Sequence, residues 1–168
     1  MQVLTAIEQS GFSVWVRESN SLLAYPGVLF LHTLGMGVVA GISGLIALRI
    51  LGCAREVPLA DVRKMYPLMW AGFYLNTVTG IVLFAIDATT KIIDPVFYVK
   101  LAFIAAALFL MHRINREVFG DPLREERPVQ RNGKIFAFAT IVCWIGAITA
   151  GRLLAYIGPG VLSSSSGS

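Results

Sequence analysis

The chain has 168 residues, is 56% hydrophobic and only 14% charged, where a soluble domain carries about 25% charged residues; its mean hydropathy is +0.71. These figures exclude a disordered chain, an ordinary nucleic-acid-binding domain and a disulfide-stapled secreted module, and leave too little charge to cover a soluble enzyme. What remains is one small integral membrane domain, since spanning helices of about 20 residues allow at most six or seven spans.

From the N-terminus, Val3, Leu4, Ile7, Phe12 and Trp15 recur at roughly helical spacing with Glu8, Gln9 and Arg17 among them. That pattern predicts an amphipathic helix lying on the membrane surface; a packed cap over the helices is the other reading. Ser10-Gly11 is a candidate break. The stretch lacks the basic start and apolar run of a usual signal peptide.

Four apolar spans follow, about 25–51, 66–87, 95–112 and 135–157. The first opens on Tyr25-Pro26, a proline tolerated at a helix start. It carries Gly35, Gly37, Gly41 and Gly44, and Gly37–Gly41 is a small-xxx-small step, as is Ala147–Gly151 in the fourth. Such steps let helices pack closely in lipid, or leave room for a flat ring. Asn76, Thr77 and Thr79 in the second span predict hydrogen bonds within or between helices. Tyr66, Trp70, Tyr98 and Tyr156 are expected in an interfacial aromatic belt. Cys53 and Cys143 have no metal spacing and predict no disulfide. The loop 117–133, with Pro122 and Pro128, reads as a solvated connector, and 161–168 as a flexible Ser/Gly tail.

The net charge of +4 is unevenly placed. Arg49, Arg55, Arg63 and Lys64 surround the first connection, and Arg113, Arg116, Arg124, Arg127, Arg131 and Lys134 the third. The middle connection has Lys91 alone. The positive-inside rule therefore puts both basic connections in the cytoplasm and both termini outside. Contact with anionic lipid heads is a secondary expectation, and no nucleic-acid partner is needed.

Ionisable groups at membrane depth are costly, which makes them the best functional lead. His32 and Lys100 each lie about five residues into a span from the outer side, or ~8 Å at 1.5 Å per residue. Arg152 falls at the same depth in the fourth span, Asp87 ends the second, and Tyr156 lies one turn above Arg152. One reading is snorkelling by Lys100 and Arg152, with Asp87 paired to one of them. The other is a pocket for haem propionates, a quinone head group or a lipid phosphate, with His32 as a metal ligand. His112 lies about 18 Å deeper than His32. Two axial ligands of one haem stand within ~4–5 Å, twice a metal–nitrogen bond, so the pair cannot share a haem within one chain. No nucleophile–base–orienter set and no phosphate-binding glycine loop is visible.

Tyr25-Pro26, then Leu31-His32-Thr33-Leu34-Gly35 and Leu48-Arg49-Ile50-Leu51-Gly52, resemble an uncharacterised family of four-helix bacterial membrane proteins, domain of unknown function 6644. So do Ala71-Gly72 with Thr79-Gly80 and Phe84, Asp94-Pro95 with Phe97 and Lys100-Leu101, and the stretch from Trp144-Ile145-Gly146 to Ala150-Gly151-Arg152-Leu153-Leu154-Ala155-Tyr156. The resemblance covers about residues 12–157 and implies a fold without an established activity. The first span's His-x2-Gly start and Leu-Arg end are faintly similar to copper-resistance-D and HemJ-type membrane proteins, and the HemJ type implies haem and redox chemistry by analogy.

The expected molecule is all-α: a four-helix up-down bundle in a bacterial inner membrane, with an N-terminal amphipathic interfacial helix and periplasmic termini. Its expected role is redox-associated, binding haem b or quinone in the periplasmic leaflet through His32, Lys100, Arg152, Asp87 and Tyr156. The alternative is a non-catalytic accessory subunit of a larger respiratory or photosynthetic complex. Partners are the lipid bilayer and a membrane protein or a second copy. Copper or solute transport ranks lower, because no Met/His/Cys ladder runs through the spans.

Overall fold

Proline and glycine punctuate the long helices. Pro26, Pro67 and Pro95 stand in the first turns of α3 (Tyr25–Leu51), α5 (Tyr66–Ile86) and α7 (Pro95–Val118), where a missing N–H costs nothing. Asp94 caps α7 by accepting a hydrogen bond from the Val96 amide at 2.8 Å. Gly52 ends α3 in the left-handed region, φ 92°, with its N–H turned back to the Leu48 and Arg49 carbonyls. The fourth long helix is α8 (Arg131–Tyr156). The computed structural model describes residues 2–18, 24–53, 56–119 and 131–156. Arg55, the loop residues Pro122, Arg124, Arg127 and Pro128, the Ser/Gly tail and the side chains of Arg17 and Tyr156 lie outside the described residues.

Among the described residues the elements are eight helices: the four long ones, α1 (Gln2–Glu8), α2 (Gly11–Glu18), α4 (Leu59–Lys64) and α6 (Ala88–Lys91). Four helices are long and apolar enough to cross a membrane: Tyr25–Leu51, Leu59–Ile86, Pro95–Val118 and Arg131–Leu154. α7 and α8 run past the apolar spans, α7 beyond residue 112 and α8 from before 135. The extra turns are amphipathic and stabilise themselves. Arg113 pairs with Glu117 at 2.8 Å and lies over the Phe136 ring, 5.7 Å from its centroid.

α3 packs between α5 and α8, and α7 lies on α8. Each long helix turns one seam inward, at steps of three and four residues. On α3 it runs Gly35, Val39, Ile42, Ile46, Ile50; on α5, Met69, Gly72, Asn76, Thr79. On α7 it runs Ala107, Met111, Ile114, Val118; on α8, Ala137, Thr140, Trp144, Ala147. The close-packed cluster joins the C-terminal halves of α3 and α7 to the N-terminal parts of α5 and α8. We call this the basic end, since Arg49, Arg63, Lys64, Arg113, Arg116, Arg131 and Lys134 gather around it. Arg49 Nε also binds the Val57 carbonyl there, tying α3 to the following turn.

Glycine sets the helix spacing at two places. A Cβ on Gly35 would lie 2.8 Å from the Asn76 amide nitrogen and 3.0 Å from the Gly72 carbonyl. One on Gly146 would meet the Phe103 ring at 2.9 Å. In lipid, such close backbone and ring contact is the main source of helix cohesion. The Gly37–Gly41 step does not do this: a Cβ on either meets nothing within 4 Å. These two glycines lie off the Gly35 seam, on the outward face of α3. There Phe30, Thr33, Leu34, Gly37 and Val38 line a shallow groove of about 390 Å³. Ala147 is fully buried and Gly151 packs on Lys100, so the α8 step does serve packing.

The N-terminal segment is two helices, not one. They break at Gln9-Ser10, and Ser10 Oγ accepts from the Ser13 amide at the start of α2. The pair packs on α5 and α6, with Ser13 and Val16 buried. The Glu8 carboxylate accepts hydrogen bonds from the Thr89 hydroxyl (2.7 Å) and amide (3.3 Å). Of the two readings of this segment, the contacts favour the packed cap, although Trp15 and Ile7 remain exposed. Tyr66 and Trp70, expected in an aromatic belt, pack partly buried on the core, edge to face with one another.

Candidate functional site: a polar layer around His32

Continue each seam away from the basic end and its chemistry changes. One turn before Gly35, the α3 seam reaches His32. On α5 it passes through Asn76 and Thr79. On α7, seven residues before Ala107, it reaches Lys100, and on α8, four residues past Ala147, Gly151. A strip of alanine, isoleucine and methionine thus becomes a layer with an imidazole, an amide, a hydroxyl and an ammonium group.

Three contacts hold His32. Its Nδ1 lies 3.0 Å from the Asn76 carbonyl oxygen and 3.1 Å from Thr79 Oγ1. A carbonyl oxygen only accepts, so Nδ1 carries the proton and donates. The Thr79 hydroxyl donates to the Leu75 carbonyl at 2.7 Å, which leaves its lone pairs for the same Nδ1–H. The ring also lies over Gly80, where a Cβ would stand 3.1 Å from Cε1. Together these fix the ring's position and tautomer and leave Nε2 as a lone-pair donor to a metal, or a hydrogen-bond acceptor. Among the described residues Nε2 has no partner.

Lys100 is half-buried, and its stem runs along Gly151: a Cβ there would lie 3.6 Å from Cε and 3.9 Å from Nζ. Among the described residues it has no ion-pair partner. Its charge and that of Lys91 both act on His32 through space. Asn76 is 8% exposed, and its side-chain Oδ1 is buried without a hydrogen-bond partner among the described residues. Buried polar atoms are normally satisfied, so this orphan acceptor, on the residue whose backbone carbonyl holds His32, requires an explanation.

The five residues expected at the site are not all brought together. His32 and Lys100 share the layer. Arg152 follows Gly151 but is exposed, beside the seam rather than on it. Asp87 caps the end of α5, seven residues past Gly80 and so about 10 Å further along the helix. It pairs with Lys91 at 3.9 Å, not with Lys100 or Arg152 as the snorkelling reading expected. That pairing follows from i,i+4 spacing, which the sequence carries but which depth alone does not reveal. The Tyr156 side chain is outside the described residues. His112 is exposed on α7, twelve residues and about 18 Å from Lys100.

Sequence reasoning named Asn76 and Thr79 as hydrogen-bonding residues without assigning them to the site. Their three-residue spacing on the Met69–Gly72 seam was the available signal. No group of three or more His, Cys, Asp or Glu side chains that could hold a metal ion occurs among the described residues. Comparison with known proteins finds no matching family, curated protein or solved structure.

Proposed function

We propose that the protein is a multi-pass protein of a bacterial inner membrane, an up-down four-helix bundle with both termini periplasmic. On this reading it binds haem b or a quinone in the periplasmic half of the bundle, beside His32. The observation that carries it is the fixed imidazole: Nδ1–H held by the Asn76 carbonyl and Thr79, and Nε2 without a partner among the described residues. Membrane-embedded histidines oriented in this way suit metal ligation or recognition of a polar ring. The basic charge at the opposite end supports the orientation, with that end cytoplasmic.

The donor set fits both candidates in part. Nε2 would ligate a haem iron, and the iron would supply one-electron chemistry. Lys100, with Arg152 at the flank, would receive propionates. A quinone would bring a flat ring with two oxygens to the same layer. The test is the absorption spectrum and extracted cofactor of gently solubilised protein. Haem gives a Soret band that His32→Ala abolishes; quinone gives an extractable ring lost in Lys100→Ala. A wild-type protein with neither, from haem- and quinone-replete cells, contradicts the proposal.

One observation favours a second reading, an accessory subunit of a larger respiratory or photosynthetic complex. The outward groove at Gly37, where an added Cβ would meet nothing within 4 Å, would accept a neighbouring helix. That reading expects a stoichiometric partner and no resident cofactor.

A further inference from the structure

We propose that Lys100 and Arg152 clamp the headgroup of an anionic phospholipid, where α7 meets α8 in the leaflet that holds the His32 layer. The inference goes beyond the cofactor reading and shares with it only the membrane-spanning bundle. It starts from the placement of one lysine. The Lys100 stem crosses from α7 to α8 and lies along Gly151, where a Cβ would stand 3.6 Å from Cε and 3.9 Å from Nζ. Arg152 is the next residue of α8 and is exposed. Cations from two helices are thus brought to neighbouring positions of α8, one along its backbone and one on its outward flank. Neither has an acidic partner among the described residues. Acidic groups described at this end are engaged elsewhere: Asp87 with Lys91 at 3.9 Å, Asp94 with the Val96 amide, and Glu8 with Thr89.

Cations are costly at membrane depth and disfavoured on the periplasmic side, so two without acidic partners call for an anion. The face of α8 below them says which anion. Ile148 and Ile145 stand four and seven residues before Arg152, one and two turns deeper on the same face, and are 40% and 60% exposed. Leu101, next to Lys100 on α7, is exposed as well. A pair of cations above a row of exposed aliphatic side chains matches a phosphate above an acyl chain. A phosphodiester has two free oxygens, one for the ammonium and one for the guanidinium, and such charge-assisted bonds are the strong ones. A free anion would have to leave water to reach this depth, whereas a lipid phosphate is held there by its chains. A zwitterionic headgroup would bring its own ammonium beside two cations, so a net-negative headgroup such as phosphatidylglycerol is preferred. A haem propionate would compete for the same cations, while an uncharged quinone leaves Arg152 to the lipid.

The test titrates phosphatidylglycerol or phosphatidylcholine into the full chain in mild detergent and counts bound lipids by native mass spectrometry. Phosphatidylglycerol also meets the basic end, so the readout is the difference between wild type and variant. Arg152→Gln and Lys100→Met are each expected to weaken one phosphatidylglycerol site about fivefold and to leave phosphatidylcholine binding unchanged. Lys100→Arg keeps the charge and is expected to retain the site, which separates lost recognition from lost packing on Gly151. Arg152 is exposed, so Arg152→Gln carries the test even where the Lys100 variants do not fold. Variants that keep phosphatidylglycerol undiminished, or that lose both lipids in step, overturn the inference and leave the cofactor reading standing. Displacement of the lipid by inorganic phosphate overturns it too, by making the site one for a free anion. A haem-bearing protein whose lipid count ignores both variants assigns the cations to propionates instead.

Discussion

Thr79 and the Asn76 carbonyl share one task, which makes their separate effects measurable. Both accept from the same imidazole N–H, so losing one leaves the ring tethered by the other. Thr79→Val keeps shape and removes the side-chain acceptor, while the Asn76 carbonyl survives any substitution at that residue. Outer partners of a liganding imidazole are worth 10–100-fold in affinity. Thr79→Val is therefore expected to weaken cofactor binding about tenfold without unfolding the protein, as read by titration of the cofactor-depleted form. At this scale the sequence was partly legible. His32 and Lys100 stood out because imidazole and ammonium groups are rare at membrane depth. Asp87 pairs with Lys91, one turn along its own chain, and Arg152 stands one residue off the Gly151 seam, placements that depth alone does not reveal.

At the scale of elements, glycine content alone did not identify the helix contacts. Four glycines in α3 suggested a packing face at Gly37–Gly41. The contact is instead at Gly35, on the seam shared with Val39 and Ile42. Register relative to the buried residues, not glycine spacing, decides which glycine meets a neighbour. This contrast is testable by detergent unfolding midpoints. Gly35→Ala forces a Cβ against the Asn76 backbone, which cannot give way as a side-chain end can; a loss of about 1–3 kcal/mol is expected. Gly37→Ala meets open space and is expected to be neutral or to gain up to about 1 kcal/mol, as alanine does over glycine in a helix. Pro26 starts α3 where expected, and Asp94-Pro95 and Gly52 mark the start of α7 and the end of α3 by the same kind of chemical signal. The helices run past the apolar spans at residues 112 and 135, because charged turns extend a helix beyond its apolar part. The N-terminal segment shows a related effect. Its amphipathic spacing is real, but tertiary contacts to α5 and α6, among them Glu8 with Thr89, decide which face is covered.

The whole molecule divides its labour between two ends. The basic end is closed by Ile46, Met69, Met111 and Trp144 packed together. The other end carries the polar layer, with α1, α2 and α6 around it, and the stacked Phe84 and Phe97 rings, 5.4 Å apart, join α5 to α7 there. The proposed orientation can be checked with the native cysteines. Cys53 is exposed at the basic end, and Cys143 lies inside α8. A membrane-impermeant maleimide is expected to label Cys53 in inverted vesicles and not in intact spheroplasts, with Cys143→Ser as background. Labelling in spheroplasts instead would place the His32 layer in the cytoplasmic leaflet. The count of four helices long and apolar enough to cross a membrane and the division of charge were legible from composition and position. The layer itself was only half legible, because its unity depends on how four seams align across neighbouring helices.

Native mass spectrometry of the full chain, released from mild detergent, tests the central claim most directly. The account predicts wild-type protein carrying the mass of a haem or a quinone, and His32→Ala protein that folds to the same oligomeric state without that mass. A wild-type chain bare of both, or a His32→Ala chain that retains the cofactor undiminished, would contradict it.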